Sequence, residues 1–479
     1  MKRLVVFSLL VSLFACARNP VTGERELVLI SESQEIAMGA DSDPQILAEF
    51  GRVPNEPLQS YLGSTGGKLA AVSHRPELEW HFTVVDSPVV NAFAVPGGYI
   101  YFTRGILAYF NTEAEMAGVM GHEIAHVTAR HSVRQLSRVQ LAQLGLAAGS
   151  ILSPTFGQFG GAAETALGLL FLRHSRDAER ESDRIGVEYV ARAGYDPREV
   201  SRFFEVLLRL SEAGDRQTLP GWLSTHPDPG ERVETTRALA EEWIQQLNLS
   251  PDGMTVNRDA HFRNLEGLIF GDNPREGFIE GGRFYHPDLQ FQLVFPADWP
   301  VENTRAAVYA LDPGQQAEMQ LRLAAAPEGA TARQYVQRLA AEGMSPQSGE
   351  YRTINGNPAF VGVYALRAQG GTIPVLAAFI EFQGRLYEIL GASSDLGRYG
   401  SAIERSIMSF DRLTDSRILN VQPDRLTIYT ARQNDTLEAL AERIDNPRVD
   451  AADLAVLNRL APDASIPPGV LVKLVEPGY

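Results

Sequence analysis

Cysteine is nearly absent from this sequence, since Cys16 is the only one among 479 residues. A disulfide bond within the chain is therefore excluded. Apolar runs long enough to cross a bilayer are also missing, because a spanning helix needs about 20 residues. The run at residues 4–14 is too short, and those at 141–152 and 162–172 are short and rich in glycine and alanine. We expect the two later runs to form buried or interfacial helices rather than a membrane hairpin.

Basic residues are in the minority: 43 Lys and Arg stand against 59 Asp and Glu, which gives a net charge of −16. An acidic field of this size repels nucleic acid and anionic lipid headgroups. No basic run offsets it, so we exclude nucleic acid as a partner. Apolar residues at 44% and charged residues at 21% are ordinary for globular protein. The length predicts two to four domains.

The N-terminal residues have the pattern of an export signal. Two basic residues precede the apolar run of residues 4–14. The run leads into Leu13-Phe14-Ala15-Cys16, which resembles a bacterial lipobox. The resemblance implies that residues 1–15 are a signal peptide and that lipid on Cys16 anchors the mature chain to a membrane. Ala17, rather than Asp, follows the cysteine, which by resemblance to Gram-negative lipoproteins implies the periplasmic face of the outer membrane. The alternative is a secretory signal that ends beside a chance cysteine.

Local patterns predict the elements that carry the chemistry. Alternating apolar residues between 80 and 105 predict a small set of strands. Thr112 followed by Glu115 has the spacing of a capping box, and helix-forming residues continue from there to about residue 136. A further helix is predicted at about residues 175–193.

The first of these helices contains His122-Glu123-Ile124-Ala125-His126. A spacing of four places both imidazoles on one face, about 6 Å apart, where one zinc ion can bridge them. Glu123 adjoins the first ligand and is placed to take a proton from a water molecule rather than to bind the ion. Two surface histidines on an amphipathic helix would give the same short motif by chance, so a third ligand is needed to support the assignment.

The helix at 175–193 supplies that ligand. Glu179 and Asp183 lie on a stripe that borders its apolar face, so Glu179 is the expected third ligand. Asp183, one turn later, can accept a hydrogen bond from a ligating imidazole. We expect Glu181 and Glu188 on the solvated face. His131 lies about 140° round the helix from His126, and we expect it to have no part in the site.

These residues resemble a known family. The segments Gly121–His126 and Ser175–Asp183 resemble the HtpX, BepA and CAAX-prenyl-protease family of gluzincin peptidases, whose E-x-x-x-D falls on Glu179 and Asp183. The segments 19–23 (Asn-Pro-Val-Thr-Gly), 91–98 and 224–227 (Ser-Thr-His-Pro) are also similar to that family. The resemblance covers about residues 17–250. It implies a mainly helical peptidase domain with a small β-sheet, one zinc ion per chain and protein or peptide substrates, and it favours the BepA-like branch.

Two further roles rest on this resemblance. The residues Asn91, Ala92, Phe93 and Ala94 match the edge strand of the family, which can hold an extended substrate by backbone pairing; the alternative is a plain core hairpin. His226 matches a histidine that either donates to the developing oxyanion or occupies the fourth position on zinc and keeps the enzyme latent. The remaining alternative is a surface histidine before a turn.

The rest of the chain is predicted to form smaller units. After the peptidase domain (16–255) and a linker (256–275), residues 276–412 mix strand-like and helical stretches, which predicts a small α/β domain with a role in interaction or substrate positioning. Residues 413–479 resemble a LysM module, a βααβ unit that often binds peptidoglycan. Asn434 stands where the module's glycine is usual, so a structural cap is the alternative. The fold class predicted is multidomain α+β.

The predicted function is a membrane-anchored zinc endopeptidase acting on misfolded or unassembled envelope proteins. A zinc-containing holdase or assembly factor that does not cut its clients is the alternative from another class. A cell-wall glycan hydrolase is disfavoured, because the sequence offers no plausible pair of catalytic carboxylates.

Overall fold

The computed structural model describes residues 16–147, 174–212, 222, 225–226, 228–368 and 371–478. The predicted signal peptide (1–15) and the apolar stretch 162–172 lie outside these residues, as do residues 148–152 of the preceding stretch. Among the residues described, no helix combines the length and the apolar character needed to cross a membrane. The chain divides into two compact units. One extends to Asp272 and resumes from Asp424 to Pro477, and the other includes Asn273–Pro423.

The first unit is mainly helical, with short strands. In chain order its elements are β1 (Cys16–Arg18), β2 (Arg25–Leu27), α1 (Glu32–Phe50), α2 (Glu56–Ala71), β3 (His81–Val85), β4 (Ala92–Val95), β5 (Tyr99–Thr103), α3 (Arg104–Tyr109), α4 (Glu113–Thr128), α5 (His131–Ala147), α6 (Arg176–Arg192), α7 (Arg198–Glu212), α8 (Pro229–Gln246) and α9 (Arg258–Leu265).

The strands predicted between residues 80 and 105 are confirmed as a three-stranded sheet in the order β3-β5-β4. β3 runs parallel to β5, with His81 opposite Tyr99, and β4 runs antiparallel to it, with Ala92 opposite Phe102. The strand β4 therefore lies at an edge of the sheet, as the family resemblance implied.

The helix α4 begins after Thr112 as predicted and ends earlier than predicted. The predicted capping box is only half formed, because the Glu115 carboxylate accepts from the backbone nitrogen of Asn111 rather than from that of Thr112. The side chain of Thr112 accepts a hydrogen bond from the backbone of Glu115, but the helix stops at Thr128 instead of continuing to about residue 136. Arg130 has a φ of 55°, in the left-handed region, and this ends the helical path. Its guanidinium is held by the buried carboxylate of Glu35, 2.7 Å away. A new helix, α5, begins directly afterwards at His131.

The helices α4 and α6 pack with their backbones in contact. A Cβ atom on Gly121 would lie 2.8 Å from the carbonyl oxygen of Gly186, and one on Gly186 would lie 2.8 Å from the backbone nitrogen of His122. Only glycine at both positions permits this approach. Helix α6 also has the predicted bounds, with Ser175 as its N-cap. The close crossing brings Glu179 and Asp183, which form the acidic stripe of α6, within reach of the histidines on α4.

The C-terminal part of the chain forms β17 (Arg425–Thr430), α13 (Leu437–Ile444), α14 (Ala451–Leu457) and β18 (Leu471–Glu476), with β17 and β18 paired antiparallel. This βααβ order is the order expected from the LysM resemblance. The segment is not a compact unit of its own, however, because its apolar residues belong to the same core as those around α4. Leu454 and Val472, for example, share that core with Leu107 and Met116.

Lys473 on β18 joins this segment to the end of α3, just before the helix that carries the histidines. Its fully buried ammonium donates to the carbonyl oxygens of Ala108 (2.7 Å) and Phe110 (2.8 Å). We expect Lys473→Met to lower the free energy of unfolding by about 1–3 kcal/mol, because the change leaves two buried carbonyls without this donor. Urea denaturation of the full chain measures the loss. Lys68→Met, at a side chain that is 52% exposed, is the control, and equal losses in both variants would contradict the assignment.

The second unit is an antiparallel α+β arrangement. Its elements are β6 (Phe278–Glu280), β7 (Arg283–His286), β8 (Phe291–Leu293), β9 (Val301–Asn303), β10 (Val308–Leu311), β11 (Ala317–Leu323), α10 (Ala332–Ala341), β12 (Ser348–Ile354), β13 (Asn357–Ala368), β14 (Gly371–Phe382), β15 (Arg385–Ser393), α11 (Leu396–Met408), β16 (Asp411–Arg412) and α12 (Ser416–Leu419). They form a seven-stranded sheet in the order β12-β13-β14-β15-β11-β10-β9 and a four-stranded sheet in the order β16-β8-β7-β6. In the described residues this unit holds no cluster of metal-binding side chains.

Candidate metal centre

Four buried side chains from three parts of the first unit converge on one point. They are His122 and His126 on α4, Glu179 on α6 and His226 just before α8. Each is at most 4% exposed. The sequence predicted that these residues act together, and the structure brings all four to the same point.

The spacing of the four groups suits a tetrahedral ion. Around an ion bound at about 2.0–2.1 Å, neighbouring ligand atoms lie about 3.3 Å apart. Here His122 Nε2 lies 2.9 Å from His126 Nε2, 3.2 Å from His226 Nδ1 and 3.4 Å from Glu179 Oε2. His126 Nε2 is 3.5 Å from Glu179 Oε1, which has no hydrogen-bond partner among the described residues. A cation between these atoms would satisfy that oxygen, and imidazole with carboxylate is the ligand set typical of catalytic zinc.

The electrostatics of the cluster also favour a cation. Burial opposes charge on His122, and so does Arg232, but Asp183 and Glu179 outweigh both and raise the pKa of this imidazole to about 9. Burial likewise opposes charge on Glu179, yet His226, His122 and His126 hold the pKa of this carboxyl well below its ordinary value. The carboxylates therefore favour positive charge on His122, and the imidazoles favour negative charge on Glu179.

Asp183 occupies the supporting position that the sequence predicted for it. Its Oδ1 lies 3.0 Å from His122 Nδ1. Because the carboxylate accepts the Nδ1 hydrogen, Nε2 is the nitrogen of His122 that is left to bind a metal ion.

Arg232 on α8 is a buried partner of this group that sequence reasoning missed. Its Nε donates to Asp183 Oδ2 at 2.8 Å and its Nη1 lies 3.5 Å from Glu179 Oε2. The guanidinium carbon lies over the rings of Phe204 and Trp222, 4.3 and 4.6 Å from their centroids. Its position in the sequence was the one available signal. Arg232 lies six residues after His226, in the first turn of a helix that packs against Glu179 and Asp183 on α6.

Glu123 lies beside the four ligand atoms without joining them. Its carboxylate is buried, its Oε1 lies 3.7 Å from His226 Nε2, and this oxygen has no hydrogen-bond partner among the described residues. Burial raises the pKa of this carboxyl above its ordinary value. A carboxylate with raised basicity and an unused acceptor is suited to taking up a proton at this position.

Three expectations about neighbouring residues are wrong. His131 is buried, and its Nδ1 lies 3.0 Å from His126 Nδ1, because Arg130 turns the chain and removes the helical offset of 140° on which the expectation rested. Glu181 is not a free surface residue, since it lies 3.0 Å from His131 Nε2. Glu188 is buried rather than solvated, at 8% exposure. His174, for which the sequence suggested no partner, stacks on the ring of His126 at 4.1 Å.

The edge strand β4 lies next to this cluster. Ala94 and Val95 line a narrow cleft together with His126. Ala92 is fully buried, and Phe93 stacks on Tyr101. Asn91 precedes the strand, and its backbone nitrogen donates to Thr103 Oγ1 at 3.1 Å.

Comparisons with known proteins agree with this site. The model of peptidase family M48 matches residues 57–240. The chain is 30% identical over 231 residues to the beta-barrel assembly-enhancing protease of Yersinia pestis. These residues are 47% of each chain. It is 32% identical over 224 residues to the protein of that name from Escherichia coli (strain K12), covering 44% of this chain and 45% of the other.

A mitochondrial relative is matched over more of its length. The mitochondrial metalloendopeptidase OMA1 of Schizosaccharomyces pombe is 31% identical over 237 residues, which are 48% of this chain and 67% of that protein. The matched part of the two bacterial relatives is about half of their length. The residues that the family model matches, 57–240, contain the whole histidine and carboxylate cluster, which confirms the family resemblance seen in the sequence. The chain therefore belongs to peptidase family M48, with zinc as its metal.

Proposed function

We propose that the protein is a zinc-dependent endopeptidase in which His122, His126 and Glu179 hold the ion and Glu123 is the general base. The convergence of these side chains at one buried point carries the proposal. A zinc ion held there supplies Lewis acidity toward a peptide carbonyl and a water molecule. Glu123 accepts the proton that the attacking water loses and returns it to the leaving amine.

His226 is proposed to keep this site closed. Its Nδ1 lies within 3.2 Å of both His122 Nε2 and Glu179 Oε2, where a catalytic zinc would otherwise have an open position. The ring stacks on Trp222 at 4.7 Å, which holds it there. Movement of His226 out of this position opens the site to water and substrate.

The substrate is proposed to bind as an extended chain along β4. In the three-stranded sheet this strand pairs with β5 alone, and its residues Ala94 and Val95 share a cleft with His126. Pairing through backbone groups suits an endopeptidase with loose side-chain preference. Asn91, Ala92, Phe93 and Ala94 are the residues proposed to bind it.

Envelope proteins are the proposed substrates. The name of the bacterial relatives refers to assembly of β-barrels, and this chain has a signal-like segment followed by a lipobox-like Cys16. Lipid on Cys16 and a place on the periplasmic face of the outer membrane are part of this proposal. For the βααβ segment we propose a structural cap rather than a glycan-binding module, because its apolar residues belong to the peptidase core.

Cleavage of casein by wild type and by His226→Ala, with bound zinc measured in both, tests the proposed function. If the open state of the wild type is about 10% or less of the population, removal of His226 raises the initial rate roughly ten-fold or more. A fall in rate at unchanged zinc content would instead assign His226 to oxyanion stabilisation. The histidine in the fourth position also suits a non-cutting holdase, and absence of cleavage by both proteins at full zinc content would favour that function.

A further inference from the structure

We propose that His131 is a positioning residue: held by Glu181, it fixes the tautomer and the ring orientation of the zinc ligand His126. The inference rests on the proposed zinc site, and it concerns two side chains that are not themselves among the proposed ligands. It assigns a role to the segment that directly follows the end of α4.

The contacts of His131 form a line from a carboxylate to a ligand. Its Nε2 lies 3.0 Å from Glu181 Oε2, and its Nδ1 lies 3.0 Å from His126 Nδ1. The His131 side chain is 1% exposed and that of Glu181 is 19% exposed. Glu181 is in turn 3.5 Å from the guanidinium of Arg134, which keeps the carboxylate paired on its outer side.

These contacts determine where the hydrogens lie. A carboxylate only accepts, so His131 carries its hydrogen on Nε2 and donates it to Glu181. In the neutral imidazole its Nδ1 is then a lone pair, and His126 donates to it from Nδ1. The remaining nitrogen of His126, Nε2, is left as a lone pair that points at His122 Nε2 and Glu179. This is the tautomer that a metal requires of a ligand bound through Nε2.

One further group contacts His131 Nδ1, the hydroxyl of Ser182 at 3.2 Å. A hydroxyl can donate to the same lone pair, so it is compatible with the assignment. The reversed tautomer would place a lone pair on His131 Nε2 against the carboxylate oxygen of Glu181 at 3.0 Å, which is repulsive. The two ligands on α4 are therefore oriented differently: His122 directly by Asp183, and His126 by Glu181 through an intervening imidazole.

The test measures the dissociation constant for zinc of the full chain, by competition with a chelator. His131→Phe keeps the ring volume and removes both hydrogen bonds, and we expect it to weaken zinc binding about 10- to 100-fold, the loss typical of removing such a partner. His131→Gln retains one acceptor and one donor, so we expect it to recover most of the affinity. His74→Phe is the matched control, because His74 bonds Tyr189 away from the cluster, and its zinc affinity should equal that of wild type.

A double variant separates the relay from a packing effect. If Glu181 acts through His131, the single variant Glu181→Leu weakens zinc binding. The same change made in addition to His131→Phe then weakens it little further. Glu181→Leu also serves as the test if His131→Phe does not fold, since its side chain is partly exposed. Zinc affinity within two-fold of wild type in His131→Phe, or in Glu181→Leu where the former cannot be purified, would overturn the inference.

The failure of this inference is distinguishable from failure of the proposed site. Loss of zinc binding in His126→Ala together with unchanged binding in His131→Phe would reject only the relay. Unchanged binding in His126→Ala would reject the ligand set on which the relay depends.

Discussion

Glu123→Gln is expected to abolish hydrolysis while the protein still binds one zinc ion per chain. The amide keeps the size of the side chain but cannot accept the proton that the attacking water loses. A general base contributes about 10²–10⁴-fold to the rate, so casein cleavage should fall by at least about 100-fold. Glu123 lies outside the four ligand atoms, 3.7 Å from His226 through Oε1, and the change should leave metal affinity nearly unaltered.

Two controls define this result. Glu179→Gln alters a proposed ligand, so it should lose both zinc and activity, whereas Glu123→Gln should lose activity alone. Cleavage by Glu123→Gln at the native rate, with zinc bound, would refute the role of this carboxylate.

Because the inactive form can still hold substrate, mass spectrometry of proteins that co-purify with Glu123→Gln also identifies natural clients and tests the proposed envelope substrates.

The metal cluster could be predicted from the sequence because its parts are short and periodic. A spacing of four fixes the relative position of His122 and His126 within a helix, and the stripe on α6 places Glu179 and Asp183 together. Both arguments need only local helical geometry. They succeed here since both helices have the expected bounds in the relevant turns and since Gly121 and Gly186 allow close contact.

The supporting residues could not be predicted because they depend on the break after α4. A continuous helix would carry His131 away from His126, and that assumption made His131 appear irrelevant. The sequence pattern assigns Glu181 to the solvated face of α6, where the displaced His131 gives it a buried partner. The left-handed Arg130 is stabilised by Glu35, which lies 95 residues earlier in the chain. Sequence pattern alone does not reveal a non-glycine residue forced into the left-handed region by a distant ion pair.

Prediction from the sequence meets the same limit in the C-terminal segment, where it concerns the division into domains. Its strand and helix order is the one that the LysM resemblance implied, so the βααβ arrangement was accessible from sequence. Its inclusion in the peptidase core depends on contacts of Lys473 and Arg459 with residues more than 250 positions away, such as the bonds from Lys473 to Ala108 and from Arg459 to Glu199. Only the folded chain shows those partners.

Arg232→Met is expected to be the most destabilising single change at the site. Arg232 is 4% exposed and is bonded through Nε to the buried carboxylate of Asp183. Methionine fills the space against the rings of Phe204 and Trp222 but leaves Asp183 without its guanidinium partner. Removing one member of a buried ion pair costs about 3–5 kcal/mol, and we expect a loss of that size in the free energy of unfolding of the zinc-free protein.

The zinc-free state is used for this measurement because bound metal would itself stabilise the fold and mix affinity with stability. Arg237→Met is the matched control on the same helix: its guanidinium is 46% exposed and pairs with Glu205 and Glu234 at the surface, where such pairs contribute about 0–1 kcal/mol. Adding Asp183→Asn to Arg232→Met should restore part of the lost stability, since no uncompensated charge then remains at that position. Equal losses from Arg232→Met and Arg237→Met, or no recovery in the double variant, would show that charge compensation by Arg232 is not what stabilises the acidic side of the cluster.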